Sequence, residues 1–125
     1  MSEKPSILIV EDDEKIVQLI EVMLRDLGVE VHHRNNGQDA LVYLENSIPN
    51  LIILDISMPV MTGWQFLELM NETPANRGIP VIVMTAHNDS VNRMTGQLQG
   101  VKAYLNKPVM PDDLRQQVSR ILQLF

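Results

Sequence analysis

Short apolar runs, each about four residues long and each stopped by polar residues, limit what this chain can fold into. Ile7-Leu8-Ile9-Val10 runs into Glu11-Asp12-Asp13, and Leu51-Ile52-Ile53-Leu54 ends on Asp55. Val81-Ile82-Val83-Met84 ends on Thr85, and Ala103-Tyr104-Leu105-Asn106 leads to Lys107-Pro108. Amphipathic stretches of helical length lie between the runs. Alternating units of this kind build a parallel sheet with helices on its faces. In a doubly wound α/β fold the carboxyl ends of the strands lie side by side, and ligands bind in the crevice beyond them. Asp12, Asp55, Thr85 and Lys107 are therefore expected to meet in space. Carboxylates, a hydroxyl and an ammonium at one sheet edge point to a divalent cation and a phosphoryl group.

The first helix is the clearest. Ile16, Leu19, Ile20, Met23, Leu24 and Leu27 form one stripe at helical spacing, Gly28 ends it, and Asp13 suits its N-cap. A second strand is expected from Glu30 to Arg34, then a turn at Asn35-Asn36-Gly37 into a helix carrying Ala40, Leu41 and Leu44. Ile48-Pro49-Asn50 breaks that helix. A loop from Ile56 to Thr62 precedes a helix with Gly63, Phe66, Leu67 and Met70 on one side, and Thr73 to Pro80 is a breaker-rich connection. A fourth helix is expected from Ser90 to Gln99. It is expected to be short or mobile, because Gly96 inside it costs about 1 kcal/mol relative to Ala. The last helix follows Asp112-Asp113 and carries Leu114, Val118, Ile121, Leu122 and Phe125. Five strands and five helices over residues 1–125 make one domain.

A formal net charge of -6 and the absence of any basic run argue against direct nucleic-acid binding. With no cysteine, disulfides and thiolate metal sites are excluded. The polar start Met1-Ser2-Glu3-Lys4-Pro5 and the short apolar runs leave no signal peptide or membrane span, so a cytoplasmic protein without membrane contact is expected.

Taken alone, Asp55 would be an aspartate that starts a turn. The stretch Asp55-Ile56-Ser57-Met58-Pro59-Val60-Met61-Thr62-Gly63 is more specific, with Met-Pro at +3 and +4 and Gly at +8. On these residues, together with the acidic pair, Thr85 and Lys107, the chain resembles receiver domains of two-component response regulators over nearly its whole length.

The resemblance implies a flavodoxin-like sheet of order 2-1-3-4-5. It implies that Asp55 accepts a phosphoryl group from a phosphohistidine of a sensor kinase or phosphotransfer protein. Glu11, Asp12 and Asp55 would hold Mg²⁺ (or Mn²⁺), with the backbone carbonyl of Ser57. Thr85 and Lys107 would engage the phosphoryl group, and Tyr104 would be the aromatic switch. Ser57 and His87 match positions that tune acyl phosphate lifetime, and the Lys107-Pro108 bond matches a step that is typically cis. Output would be altered binding of a downstream protein on the surface of the fourth helix, fifth strand and last helix. The only chemistry catalysed would be the domain's own phosphorylation and dephosphorylation.

Elementary electrostatics agrees with this assignment. A phosphoryl group arriving beside three carboxylates meets repulsions on the order of 4 kcal/mol per pair at about 4 Å and an effective dielectric of about 20. A cation is required, and oxygen-only ligands suit Mg²⁺. Lys107 supplies a compact positive charge, and phosphoryl transfer needs positioning and charge neutralisation more than covalent help.

His32 and His33 are not read as a metal pair, because adjacent strand residues point to opposite faces. The segment Gly96-Gln97-Leu98-Gln99-Gly100-Val101 departs from the Ala-rich packing usual in the family, which bears on the partner surface. A haloacid-dehalogenase-type phosphatase would want an Asp where Ser57 stands. A nucleotide or flavin carrier would not place Glu11-Asp12-Asp13-Glu14 after its first strand, and no phosphate-binding glycine motif is present. A phosphorylation-independent scaffold of the same shape is the remaining alternative.

Overall fold

Apolar runs that are buried on both faces require helices on both sides of a sheet, and the chain supplies them. The computed structural model describes residues 4–86 and 100–124. Its strands are β1 (Ser6–Val10), β2 (Glu30–Arg34), β3 (Leu51–Asp55), β4 (Val81–Thr85) and β5 (Val101–Asn106). They pair in parallel in the order β2-β1-β3-β4-β5. The order expected from the family resemblance is therefore present. Every residue of the central β3 is buried, as suits a strand covered on both faces.

Four α-helices lie among the described residues: α1 (Glu14–Leu24), α2 (Gly37–Leu44), α3 (Gly63–Asn71) and α4 (Pro111–Leu122). The helix expected from Ser90 to Gln99, with Gly96 and Leu98, lies outside the described residues, as do His87 and Phe125. Because strand side chains alternate between faces, the core divides in two. Leu8, Val10, Ile52 and Leu54 pack with Ala40 and Leu44 of α2 and with Phe66, Leu67 and Met70 of α3. Ile7, Ile9, Leu51 and Ile53 pack on the other side with Val17, Ile20 and Leu24 of α1 and with Leu114 and Val118 of α4.

Local chemistry fixes the helix starts. Asp13 caps α1 by accepting from the Lys15 N–H, and Asn36 caps α2 by accepting from the Asp39 N–H. Thr62 and Gln65 form a reciprocal capping box at α3. A 3₁₀ turn, Arg25–Leu27, and Gly28 at φ 71° close α1. The connection from Thr73 to Pro80 contains a second such turn, Pro74–Asn76.

Two local expectations need correction. The last helix begins on Pro111, with Asp112 and Asp113 inside its first turn, because proline is suited to a first helical position. The stripe read along α1 is also rotated. Leu19 is 58% exposed, whereas Val17, which is outside the stripe, is buried. The apolar residues of α1 span more than one face, and only the sheet decides which of them it covers.

Candidate functional site

Four of the five strands, all but β2, hand side chains to the carboxyl edge of the sheet. Glu11 and Asp12 follow β1, Asp55 is the last residue of β3, Thr85 the last of β4, and Lys107 follows β5. The Lys107 N–H donates to the Thr85 carbonyl at 2.9 Å, so the last two are fixed to each other through the backbone. The expected meeting of these residues is present in the geometry.

Asp55 is 2% exposed and Glu11 1% exposed, while Asp12 is open to solvent. The Lys107 ammonium lies 3.0 Å from Asp55 Oδ1 and 3.8 Å from Glu11 Oε1. The Ser57 N–H donates to the same Asp55 oxygen at 3.0 Å. Ligand oxygens of Glu11, Asp12 and Asp55 all lie within 4.8 Å of one another.

One ammonium cannot neutralise this group, and the titration of the pair reflects that. Burial, followed by the hydrogen bond and negative charge of Asp55, pushes the Glu11 carboxyl from 4.5 up to about 9. Burial also acts to raise Asp55. The hydrogen bonds from Glu11, Lys107 and the Ser57 N–H, with the Lys107 charge, outweigh it and hold Asp55 below the usual carboxylate range. Without a metal, one proton thus resides between two carboxyl groups, mostly on Glu11.

Among the described residues, neither Glu11 oxygen has a hydrogen-bond donor although both are buried. Orphaned buried acceptors demand an explanation, and a hard divalent cation among three oxygen donors supplies one. The donor set fits Mg²⁺ or Mn²⁺, which take carboxylate, carbonyl and water oxygens.

The loop after Asp55 explains its own sequence. Met58 is buried against the α2/α3 side of the sheet. Gly63 approaches so closely that a Cβ there would stand 2.8 Å from Ile56 Cα and 2.9 Å from the Asp55 carbonyl oxygen. Its N–H donates to the Ile56 carbonyl at 3.0 Å. Glycine at +8 is thus a packing requirement behind the end of β3. Between these anchors Val60 adopts φ 73° and is 80% exposed.

Thr85 and Tyr104 lie on the same face of neighbouring strands, since Val83 pairs with Tyr104 and Thr85 with Asn106. Tyr104 is half-buried against the α2/α3 core. The Lys107–Pro108 peptide is cis. Beside Lys107 an apolar groove of about 360 Å³ is lined by Ile16, Leu19, Met23, Met84, Pro108 and Val109 among others.

The two histidines do not share a ligand. His32 Nε2 lies 2.8 Å from Glu30 Oε1, and His33 Nε2 lies 2.8 Å from the carbonyl oxygen of Glu11. The second contact was not legible in the sequence, because it depends on the register that sets β2 beside β1. No helix among the described residues is long and apolar enough to cross a membrane.

Comparison with known proteins agrees with this geometry. Residues 7–119 match the model of the response regulator receiver domain. Response regulator Rre1 of Synechocystis sp. is 34% identical over 123 residues, 98% of this chain and 53% of that protein. The chain spans about half the length of several curated relatives it matches. Chemotaxis response regulator CheY4 of Vibrio cholerae is 28% identical with a TM-score of 0.87, covering 95% of this chain and 99% of that one. The receiver domain of sensor histidine kinase PA1611 from Pseudomonas aeruginosa has a magnesium ion coordinated in its active-site cleft. It is 28% identical with a TM-score of 0.85 and covers 97% of this chain and 99% of that one. With the family's fold, strand order and acidic cleft all present, this chain belongs to the response regulator receiver domains of two-component signalling.

Proposed function

We propose that the chain takes a phosphoryl group from a phosphohistidine of a sensor kinase or phosphotransfer protein onto Asp55 and signals by altered protein binding. The N–P bond of the donor breaks as a bond forms between phosphorus and an Asp55 oxygen. The observation that carries this reading is a strand-end carboxylate gripped by an ammonium and an N–H, each at 3.0 Å, beside a buried carboxyl with no hydrogen-bond donor among the described residues.

Glu11, Asp12 and Asp55, with the Ser57 carbonyl, would hold Mg²⁺ or Mn²⁺, which supplies positive charge against the incoming phosphoryl oxygens. Lys107 adds a second positive charge and orients Asp55. Burial excludes water from Asp55, and the small side chain of Ser57 bears on how readily water later attacks the acyl phosphate. The Thr85 hydroxyl would turn toward the phosphoryl oxygens, and Tyr104, two residues back along the neighbouring strand, would follow into the space vacated. His87, in the same lifetime-tuning role as Ser57, lies outside the described residues. The apolar groove beside Lys107 supports a protein as phosphodonor, since its lining suits side chains of a docked partner.

Mass spectrometry after treatment with acetyl phosphate and MgCl₂ tests the assignment. One added phosphoryl group is expected on the wild type and none on Asp55→Asn. Equal labelling of both proteins would refute Asp55 as the acceptor, and no labelling of either would favour the scaffold alternative.

A further inference from the structure

We infer that His33 is a positioning residue for the acidic site, acting through the backbone of Glu11. The inference rests on the reading of Glu11 as a metal ligand. Glu11 is the first residue beyond β1, at the point where the chain leaves the sheet for Asp12 and the Asp13 cap of α1. Its N–H still donates to the Arg34 carbonyl at 3.2 Å, one rung past the end of the β1–β2 ladder. Its carbonyl accepts from His33 Nε2 at 2.8 Å.

Both backbone polar groups of Glu11 are thus held by the last two residues of β2. The hold matters because no donor among the described residues fixes the Glu11 carboxyl oxygens, and Lys107 stands at ion-pair rather than hydrogen-bond distance. With no donor holding those oxygens, the aim of the carboxyl toward Asp55 depends on the backbone it leaves from. A carbonyl only accepts, so the contact requires the hydrogen on His33 Nε2 and leaves Nδ1 as the acceptor in a neutral ring. His33 is itself steadied, since the Arg34 guanidinium donates to its carbonyl at 2.7 Å while standing 4.8 Å over the Tyr43 ring.

His32 makes no such contact. It faces the other side of β2, paired with Glu30 and stacked obliquely on Tyr43 at 5.7 Å. Groups one step removed from a metal ligand commonly change metal affinity about 10- to 100-fold. A hold on a ligand's backbone, rather than on its carboxylate, belongs at the lower end of that range.

The test compares wild type, His33→Gln and His33→Met by calorimetric titration with MgCl₂ at a pH where the ring is neutral. Metal-free thermal midpoints and acetyl phosphate labelling rates are measured beside it. The amide nitrogen of Gln reaches about where Nε2 stands, so His33→Gln should bind Mg²⁺ within about twofold of wild type. His33→Met should bind about tenfold more weakly and label more slowly, whatever small change its midpoint shows. Equal affinity in wild type and His33→Met, or equal weakening in both variants, would overturn the inference.

Nitrogen NMR of the wild-type ring decides the matter independently if His33→Met fails to fold. The Nε2–H tautomer with an Nε2 signal that moves on adding MgCl₂ is expected, and the Nδ1–H tautomer or an unmoved signal would overturn it. A wild type that neither binds Mg²⁺ nor labels would overturn the reading of the site itself, which is a distinguishable result.

Discussion

Replacing Glu11 by Gln should make the metal-free protein more stable at neutral pH and flatten its pH dependence. The Glu11 carboxyl is held at about 9 in the fold against 4.5 for an ordinary glutamate. Between those values the folded state binds a proton that the unfolded state has released. Stability supported by this group is therefore fully present below about pH 4.5 and is lost as pH rises toward about 9. The slope for one proton is about 1.4 kcal/mol per pH unit. It does not depend on the exact upper value as long as that value stays above the working pH. From about pH 5 to about pH 7 the loss is about 3 kcal/mol, or about 10 °C in melting midpoint for a domain of this size.

Gln mimics the protonated carboxyl, keeping an N–H to donate toward Asp55 but having no proton to lose. His32, His33 and the surface carboxylates are common to both proteins. Asp55, held below the usual carboxylate range, stays ionised at neutral pH, so there the difference between the two stability–pH curves reports Glu11. Thermal and urea unfolding at several pH values in chelator would measure it. Adding MgCl₂ should reverse the trend in wild type, because binding needs the carboxylate and releases its proton. Saturation at a hundredfold excess over Kd adds about 3 kcal/mol, and the Gln variant should gain much less. Parallel curves for the two proteins in chelator would refute the reasoning.

Two further outcomes follow from the loop behind Asp55. Gly63→Ala forces a Cβ against the Ile56 and Asp55 backbone, so it should destabilise by about 2 kcal/mol despite the better helix former. It should also slow acetyl phosphate labelling, and an unchanged urea midpoint would contradict the close approach. Val60→Gly should stabilise by about 1 kcal/mol, since relief of a β-branched residue at φ 73° outweighs the added freedom of the unfolded chain. Denaturant unfolding of the two proteins checks it, and a loss of stability would mean that Val60 makes contacts worth more than its strain.

Much of this protein is local and was legible in the sequence. Apolar runs of strand length, the Asp13 cap, the breakers between units and the residues at each strand end are all set by the chemistry of neighbouring residues. The resemblance carried by the Asp55-to-Gly63 stretch supplied the strand order, which the runs alone do not specify. It also named the acidic set before any distance was known. What tertiary structure decided concerns pairs distant in sequence.

The sheet chose Val17 over Leu19 as the buried face of α1, because an apolar surface wider than one face contains no information about which part is covered. The parallel register of β1 and β2 put His33 on the Glu11 carbonyl, a contact between residues 22 apart that no periodicity encodes. Gly63 reads as one more turn glycine until the helix start is seen lying on the Asp55 backbone. The unusual titration of Glu11 likewise needs burial and a neighbour 44 residues away, which only the folded chain brings together. Side-chain type and spacing determine which elements form, whereas a distance between elements depends on their order, register and rotation, and only packing fixes those.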